Sequence, residues 1–188
     1  MKTDSFKELK AGVLLATDTV VKISQGDISS LVETAAANIP RKRAIICTQR
    51  NAAAAVHEMM MALDQESYLR PHMHPSKSES LHIIEGLCDV VLFEPDGSIQ
   101  QVIRLGDYKS GHNFFYRLAD PVYHGMVVRS PRLVVHETTN GPFTPEGTVV
   151  ADWAPDESDV PAVKSFMRDL SGKAEDFLKN RVPSLQPV

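Results

Sequence analysis

The apolar positions of this chain fall into two textures. From Asp27 to about Leu63 they suit helices. "DISSLVETAAANI" opens on Asp27, whose carboxylate can cap the free backbone N–H groups of a first turn. It stops before Pro40, which a helix cannot carry through. "NAAAAVHEMMMAL", from Asn51, is rich in strong helix formers and predicts a second helix, with "RAIICT" as a short strand between the two. From Tyr68 to about Pro142 the texture changes to short β-branched or aromatic runs separated by turn residues. "LHIIEG", "CDVVLFE", "SIQQVIRL", "NFFYRLA", "VYHGMVVR" and "RLVVHETT" follow one another with no helical stretch between them. "EPDGS", Glu94 to Ser98, predicts a hairpin whose Asp-Gly pair supplies the positive φ of a tight turn. Six strands in that order read as an antiparallel sandwich or barrel. After about Asp159 the helical period returns, with Val163, Phe166, Met167 and Leu170 on one face, enough to dock a helix on the β core. The closing "SLQPV" reads as a loose tail.

The expected organisation is therefore a helical N-terminal extension over residues 1–65, a β-barrel over 66–155, and a C-terminal helix with its tail over 156–188. At 188 residues one core accounts for all three parts. A hydrophobic content of 43% with 23% charged residues is that of an ordinary globular chain. A net charge of −4 argues against nucleic acid as the partner, and the one basic run, "PRKR" at Pro40 to Arg43, reads as a solvated loop. No run approaches the roughly 18 apolar residues that a membrane-spanning helix needs. The N-terminal apolar stretch, Ala11 to Ala16, is too short and too closely preceded by acidic residues for a signal peptide. The two cysteines, Cys47 and Cys88, follow no metal or redox spacing and read as buried free thiols, so a cytoplasmic location is expected.

The chemistry concentrates in "YLRPHMHPSKSESLHIIEG", Tyr68 to Gly86. In an extended strand His72 and His74 share a face, with Cβ atoms about 6–7 Å apart. Two imidazoles at that spacing can converge on one cation, and Glu79, after the bend made by "PSKS", can add an anionic oxygen. Glu79 is in phase with Leu81 and Ile83, whereas Ser80 and His82 point the other way. A carboxylate among inward apolar neighbours needs a partner, and a metal ion is one. His124 is in phase with Val122, Met126 and Val128. Glu137 is in phase with Leu133 and Val135, which makes it a candidate for a buried acid–base role. Arg70, Lys77 and Tyr123 are candidate contacts for an anionic substrate. Arg70 and Lys77 could equally be an ion pair at the barrel mouth and a solvated loop lysine. Tyr68, Tyr116 and Tyr123 could line the pocket or simply be core.

The spacing H-x-H, four residues, Glu, six residues, Gly, from His72 to Gly86, resembles the first motif of the cupin superfamily. "DPVYHGMVV", with Pro121 and His124, is similar to the second. Glu66 stands where the first motif begins with glycine, and Val128 where the second has asparagine. Within the superfamily "PRKRAIIC", "SYLRPHMHPSKSE", "HETTNGPF" and "ADWAPDES", in that order, are similar to the WbuC-type cupin-fold metalloproteins. The resemblance implies a single-domain, mainly β cupin: a double-stranded β-helix, or jelly-roll barrel, with N-terminal helices and a C-terminal helix. It also implies one divalent transition metal (iron, manganese, nickel, cobalt or zinc) held by His72, His74, Glu79 and His124. Family members often accompany surface-polysaccharide genes, and many cupins pair through their barrel edges, so a homodimer is expected.

Three functions are compatible with this reading. The first is a metal-dependent enzyme acting on a small polar or anionic molecule such as a sugar, sugar nucleotide or organic acid. It would work by isomerase- or epimerase-type Lewis-acid chemistry with Glu137 moving a proton, or by oxygenation. The second is a binding or sensing protein in which the metal only anchors a ligand. The third is a structural metal, which closed cysteine-rich sites suit better than this ligand set.

Overall fold

The computed structural model describes residues 5–181. The "SLQPV" tail lies outside them. The strands, in chain order, are β1 (Phe6–Lys10), β2 (Val13–Ala16), β3 (Arg43–Cys47), β4 (Val56–Asp64), β5 (His72–Met73) and β6 (Glu79–Glu85). They continue as β7 (Leu87–Phe93), β8 (Ile99–Gly106), β9 (Phe115–Leu118), β10 (Tyr123–Val128), β11 (Arg132–Asn140) and β12 (Val149–Val150). The helices are α1 (Gln25–Ala37) and α2 (Val160–Arg181). Each of the six strand-like runs of the middle region is a strand. Gly97 adopts φ +87° in the β7–β8 hairpin, as its Asp-Gly turn requires.

Two sheets face each other. The larger runs β1-β2-β3-β4-β11-β6-β9 and the smaller β12-β5-β10-β7-β8. All pairs are antiparallel except β2 with β3. Between the sheets lies a core of Met61, Leu63, Leu81, Ile83, Val90, Leu105, Leu133 and Val135 with their neighbours. Such an interleaved pair of sheets is a jelly roll, the double-stranded β-helix.

The N-terminal region is not the expected helical extension: it contributes β1 to β4 and the single helix α1, and β4 pairs with β11 within the larger sheet. "NAAAAVHEMMMAL" forms strand β4, not a helix. Its residues are good helix formers, but His57, Met59, Met61 and Leu63 alternate with Glu58, Met60 and Ala62. That period of two lets β4 bury one face in the barrel and the other under α1. Pairing with β3 and β11 on either side overrides the propensity. Helix α1 forms as expected but begins earlier. Ser24 is the cap: its hydroxyl accepts from Asp27 N–H at 3.3 Å while the Asp27 carboxylate accepts from Ser24 N–H at 2.8 Å. Leu31 and Ala35 seal it against Ala44, Ile46 and Ala62 on the outer face of the larger sheet.

The smaller sheet is covered by α2, so β7 is buried on both faces and reads as a nearly unbroken apolar run. Phe166, Met167, Leu170 and Ala174 pack on Val91, Phe93, Val102 and Val127. The exception in that run is Asp89, which is 0% exposed. Arg104 grips it through Nε at 2.8 Å and Nη2 at 3.0 Å, and Arg129 Nε donates to it at 2.7 Å. Both arginines also reach α2: Arg104 to Glu175 at 2.5 Å and Arg129 to Ser171 Oγ at 2.5 Å. A buried carboxylate thus fastens helix to sheet.

The basic run is not simply solvated. Arg43 pairs with Glu157 at 3.0 Å and Lys42 with Glu66 at 3.9 Å. Of the two cysteines Cys88 is buried, its thiol pushed up to about 12 by burial, whereas Cys47 is only partly buried. Among the described residues no helix is long and apolar enough to cross a membrane.

Candidate metal centre

Residues paired across a sheet present their side chains to the same face, so the register of the larger sheet lays out the barrel interior in rows. One row runs Cys47, Met59, Glu137, Leu81, Tyr116 from β3 to β9. The next, nearer the open end, runs His57, Thr139, Glu79, Leu118 from β4 to β9. The turn between β6 and β7 holds this register. Gly86 adopts φ +95°, and a Cβ there would lie 2.4 Å from the Arg132 carbonyl, so only glycine closes it.

The smaller sheet brings the imidazoles. His72 of β5 sits directly opposite His124 of β10, and His74 follows on the turn after β5. Their ring centroids are 4.5 Å apart for His72 and His124, 5.0 Å for His72 and His74, and 5.7 Å for His74 and His124. One ring nitrogen from each lies within 4.8 Å of the others. From the facing sheet Glu79 reaches across, with Oε1 3.2 Å from His124 Nε2 and Oε2 3.5 Å from His74 Nε2.

The second nitrogen of each ring decides what the cluster can do. His72 Nδ1 donates to the Arg70 carbonyl, His74 Nδ1 to the Gly147 carbonyl and His124 Nδ1 to the Val122 carbonyl, each at 2.9 Å. A backbone carbonyl can only accept, so all three Nδ1 atoms carry protons and all three Nε2 atoms are left as ligand atoms. Adjacent ligands about 2.1 Å from a single ion sit about 3 Å apart, close to the 3.2 Å and 3.5 Å between Glu79 and the Nε2 atoms of His124 and His74. The donor set fits a divalent transition metal. Tyr116 steadies the carboxylate by donating to Glu79 Oε1 at 2.6 Å.

Electrostatics bind the group together. Burial would raise the Glu79 carboxyl, but hydrogen bonds from His124, His74 and Tyr116 outweigh it and hold it well below the usual range. The hydrogen bond to Glu79 raises His74. His124 is also raised, because its bond to Glu79 overcomes the opposing effect of burial. His72, which burial and the neighbouring His124 disfavour as a cation, is lowered to about 4. Burial first, and then the Glu79 charge, push Glu137 up to about 7. Metal and protons therefore compete at His74 and His124 but not at His72. In mildly acidic solution a divalent ion is expected to displace about two protons from these rings, and its affinity should fall as the pH drops through their raised values. Calorimetry in buffers of different ionisation heat would count the protons. The Glu137→Gln variant is the one to use, since its buried side chain then contributes none. A count near three, or near zero, would contradict this electrostatic arrangement.

The structure brings His72, His74, Glu79, His124 and Glu137 to one end of the barrel. The other candidate residues lie elsewhere. Tyr123 is on the opposite face of β10 from His124 and packs with Trp153 at 6.1 Å, beneath α2. Alternation along the strand puts it there. Lys77 donates to the Pro142 carbonyl at 2.8 Å and lies 5.9 Å from the Phe143 ring. The Arg70 guanidinium donates to the Ala151 carbonyl at 3.0 and 3.2 Å and pairs with Asp156 at 3.2 Å, beside a separate cleft of about 1030 Å³. His82 and His136 pair with each other on the outer face of the sheet. The Tyr116 hydroxyl, by contrast, earns a place beside Glu79. The period-two pattern of β6 against β9 is the signal that points it inward.

A model of a domain of unknown function, DUF6016, matches residues 23–105. A comparison with curated proteins found no match. Among solved structures the chain is similar to a Shewanella oneidensis protein at 11% identity, over 71% of this chain and 84% of that one, with a TM-score of 0.49. It is also similar to Cellulomonas parahominis L-ribose isomerase, seen with L-psicose, at 14% identity over 60% and 70% of the two chains, TM-score 0.47. A third is Lactobacillus farciminis oxalate decarboxylase in a formate complex, at 11% identity over 51% of this chain, TM-score 0.41. The chain spans only 26% of that decarboxylase's length. The fold, two facing and mainly antiparallel sheets, is a double-stranded β-helix.

Proposed function

We propose that the chain is a divalent-metal-dependent cupin enzyme acting on a small polar or anionic molecule, a sugar, sugar nucleotide or organic acid. His72, His74, Glu79 and His124 hold the metal. The observation that carries this reading is the clustering of the three imidazoles, each tied through Nδ1 to a main-chain carbonyl, with Nε2 of His74 and of His124 at the Glu79 carboxylate. An ion bound there would supply Lewis-acid polarisation of a ligand carbonyl or hydroxyl.

Glu137 is the proton carrier. With its pKa near 7 it can take a proton from a carbon or hydroxyl and return it at neutral pH. It lies on the interior wall one row from Glu79, between Met59 and Leu81, and is partly buried there. Proton abstraction beside a polarised carbonyl, then return at a neighbouring position or on the other face, is isomerase or epimerase chemistry. The WbuC-type affiliation, a homodimer and a cytoplasmic location belong to the same reading, the dimer being checked by sedimentation.

The deciding experiment is metal content by mass spectrometry on untagged protein and on the His74→Ala and Glu79→Ala variants. Near-stoichiometric metal in the parent chain, lost in both variants, is the expected result. Little metal, unaffected by either change, would sink the reading. The identity of the metal then chooses the next assay: sugar isomerisation for zinc or nickel, oxygen uptake for iron.

A further inference from the structure

A fourth imidazole faces the interior of the barrel. His57 is the first inward residue of β4, on the face that carries Met59, Met61 and Leu63 into the core. Register sets it across from Thr139, which in turn sits across from Glu79. His57 and Glu79 thus stand on one wall, two strand spacings or about 10 Å apart at the backbone.

Its neighbours fix where its proton lies. Glu58 N–H donates to Gln49 Oε1 at 3.2 Å, which orients the amide so that its nitrogen meets His57 Nδ1 at 3.2 Å. An amide nitrogen only donates, so Nδ1 accepts and the ring proton sits on Nε2. His57 is 5% exposed, and among the described residues its Nε2 is the one buried side-chain nitrogen or oxygen without a protein partner. Native folds seldom strand a buried donor, and where they do the group usually has another use. The Cδ2 edge of the ring packs closely on Gly141, where a Cβ would collide with the Ala54 carbonyl and come within 2.8 Å of His57 Cδ2. Thr139, the neighbour in the same row, has already committed its hydroxyl to the Ser78 carbonyl at 3.0 Å. His57 is therefore the free donor in that row.

We propose that His57 Nε2–H donates a hydrogen bond to an oxygen of the small ligand whose other end binds at the His72, His74, Glu79 and His124 cluster. This rests on the metal reading above and narrows the ligand. A donor some two strands from the cluster lies beyond the reach of a one- or two-carbon acid. It suits a longer molecule with oxygens at both ends, such as a six-carbon sugar acid. His57 is a binding residue in this scheme and sets the length of ligand accepted.

Two substitutions separate the ring's functions. His57→Asn keeps an acceptor for Gln49 and, on a shorter side chain, draws its N–H donor back from the place of Nε2, whereas His57→Gln puts an amide nitrogen near that place. The parent protein and both variants are loaded with Co²⁺ and titrated with D-gluconate and, as the short control, acetate. Calorimetry and the visible bands of the cobalt ion report binding. Gluconate affinity should fall at least about tenfold in His57→Asn and largely recover in His57→Gln, with acetate and Co²⁺ affinities unchanged in both. Urea midpoints near the parent's are expected for both variants, since each exchanges one buried polar side chain for another. Unchanged gluconate affinity in His57→Asn, an equal loss for acetate, or no gluconate binding to the cobalt-loaded parent would overturn the proposal and leave the metal site standing. Failure of the parent to take up Co²⁺ would overturn the metal reading and this proposal with it.

Discussion

Replacing Asp89 with alanine is expected to cost about 3–5 kcal/mol, a large part of the roughly 5–15 kcal/mol that stabilises an ordinary domain. Asp89 is fully buried and answers two guanidinium groups, so its removal leaves two cations facing each other beneath α2. The loss should lie toward the lower end of that range. Arg104 keeps Glu175, and Arg129 keeps its bonds to Ser171. Urea denaturation would show it as a lower midpoint with an unchanged slope. A change under about 1 kcal/mol would mean that the pair behaves like a solvent-exposed one and does not hold α2 to the sheet.

The second large effect concerns the candidate metal ligands. Glu79→Gln keeps the shape of the side chain and removes its charge, and should weaken Zn²⁺ binding by more than about a hundredfold. Tyr116→Phe leaves every proposed ligand in place and removes only the 2.6 Å hydrogen bond to Glu79, so a loss of about 10–100-fold is expected. Competition with a chromophoric chelator measures both. Equal affinities in Tyr116→Phe and the parent would show that the phenol is merely packed there. An unaltered Glu79→Gln would remove the carboxylate from the ligand set. Without the charge, His74 and His124 also lose the interaction that raises their pKa values, so proton competition should weaken in Glu79→Gln.

Much of this was legible in the sequence because the relevant periods are local. Glu79, Leu81 and Ile83 alternate over a few residues, and the pattern correctly turns the carboxylate inward. The same holds for Glu137 on β11, and for the six middle strands. What stayed hidden depends on long-range pairing. The composition of "NAAAAVHEMMMAL" favours a helix, and only its neighbours β3 and β11 make it a strand. The same helical composition masks His57, which a strand turns inward. Tyr123, an aromatic on a barrel strand, suggests a pocket residue, yet it neighbours His124 in sequence and so points the opposite way. The Asp89 cluster gives no local sign, since its arginines lie 15 and 40 residues away.

The three carbonyls that aim the imidazoles have a further consequence. Arg70, Val122 and Gly147 contribute through their main chain, so any residue there but one that shifts the backbone would still present the same oxygen. The orientation of the rings is thereby insulated from drift at the positions that set it. Two of those oxygens belong to segments leading into β5 and β10, held by the sheet. The third, from Gly147, sits on a short surface turn. Mutational change should then reach His74 more easily than its companions, through insertions or altered turns near 145–148. Homologous chains that reshape this pocket would be expected to do so there.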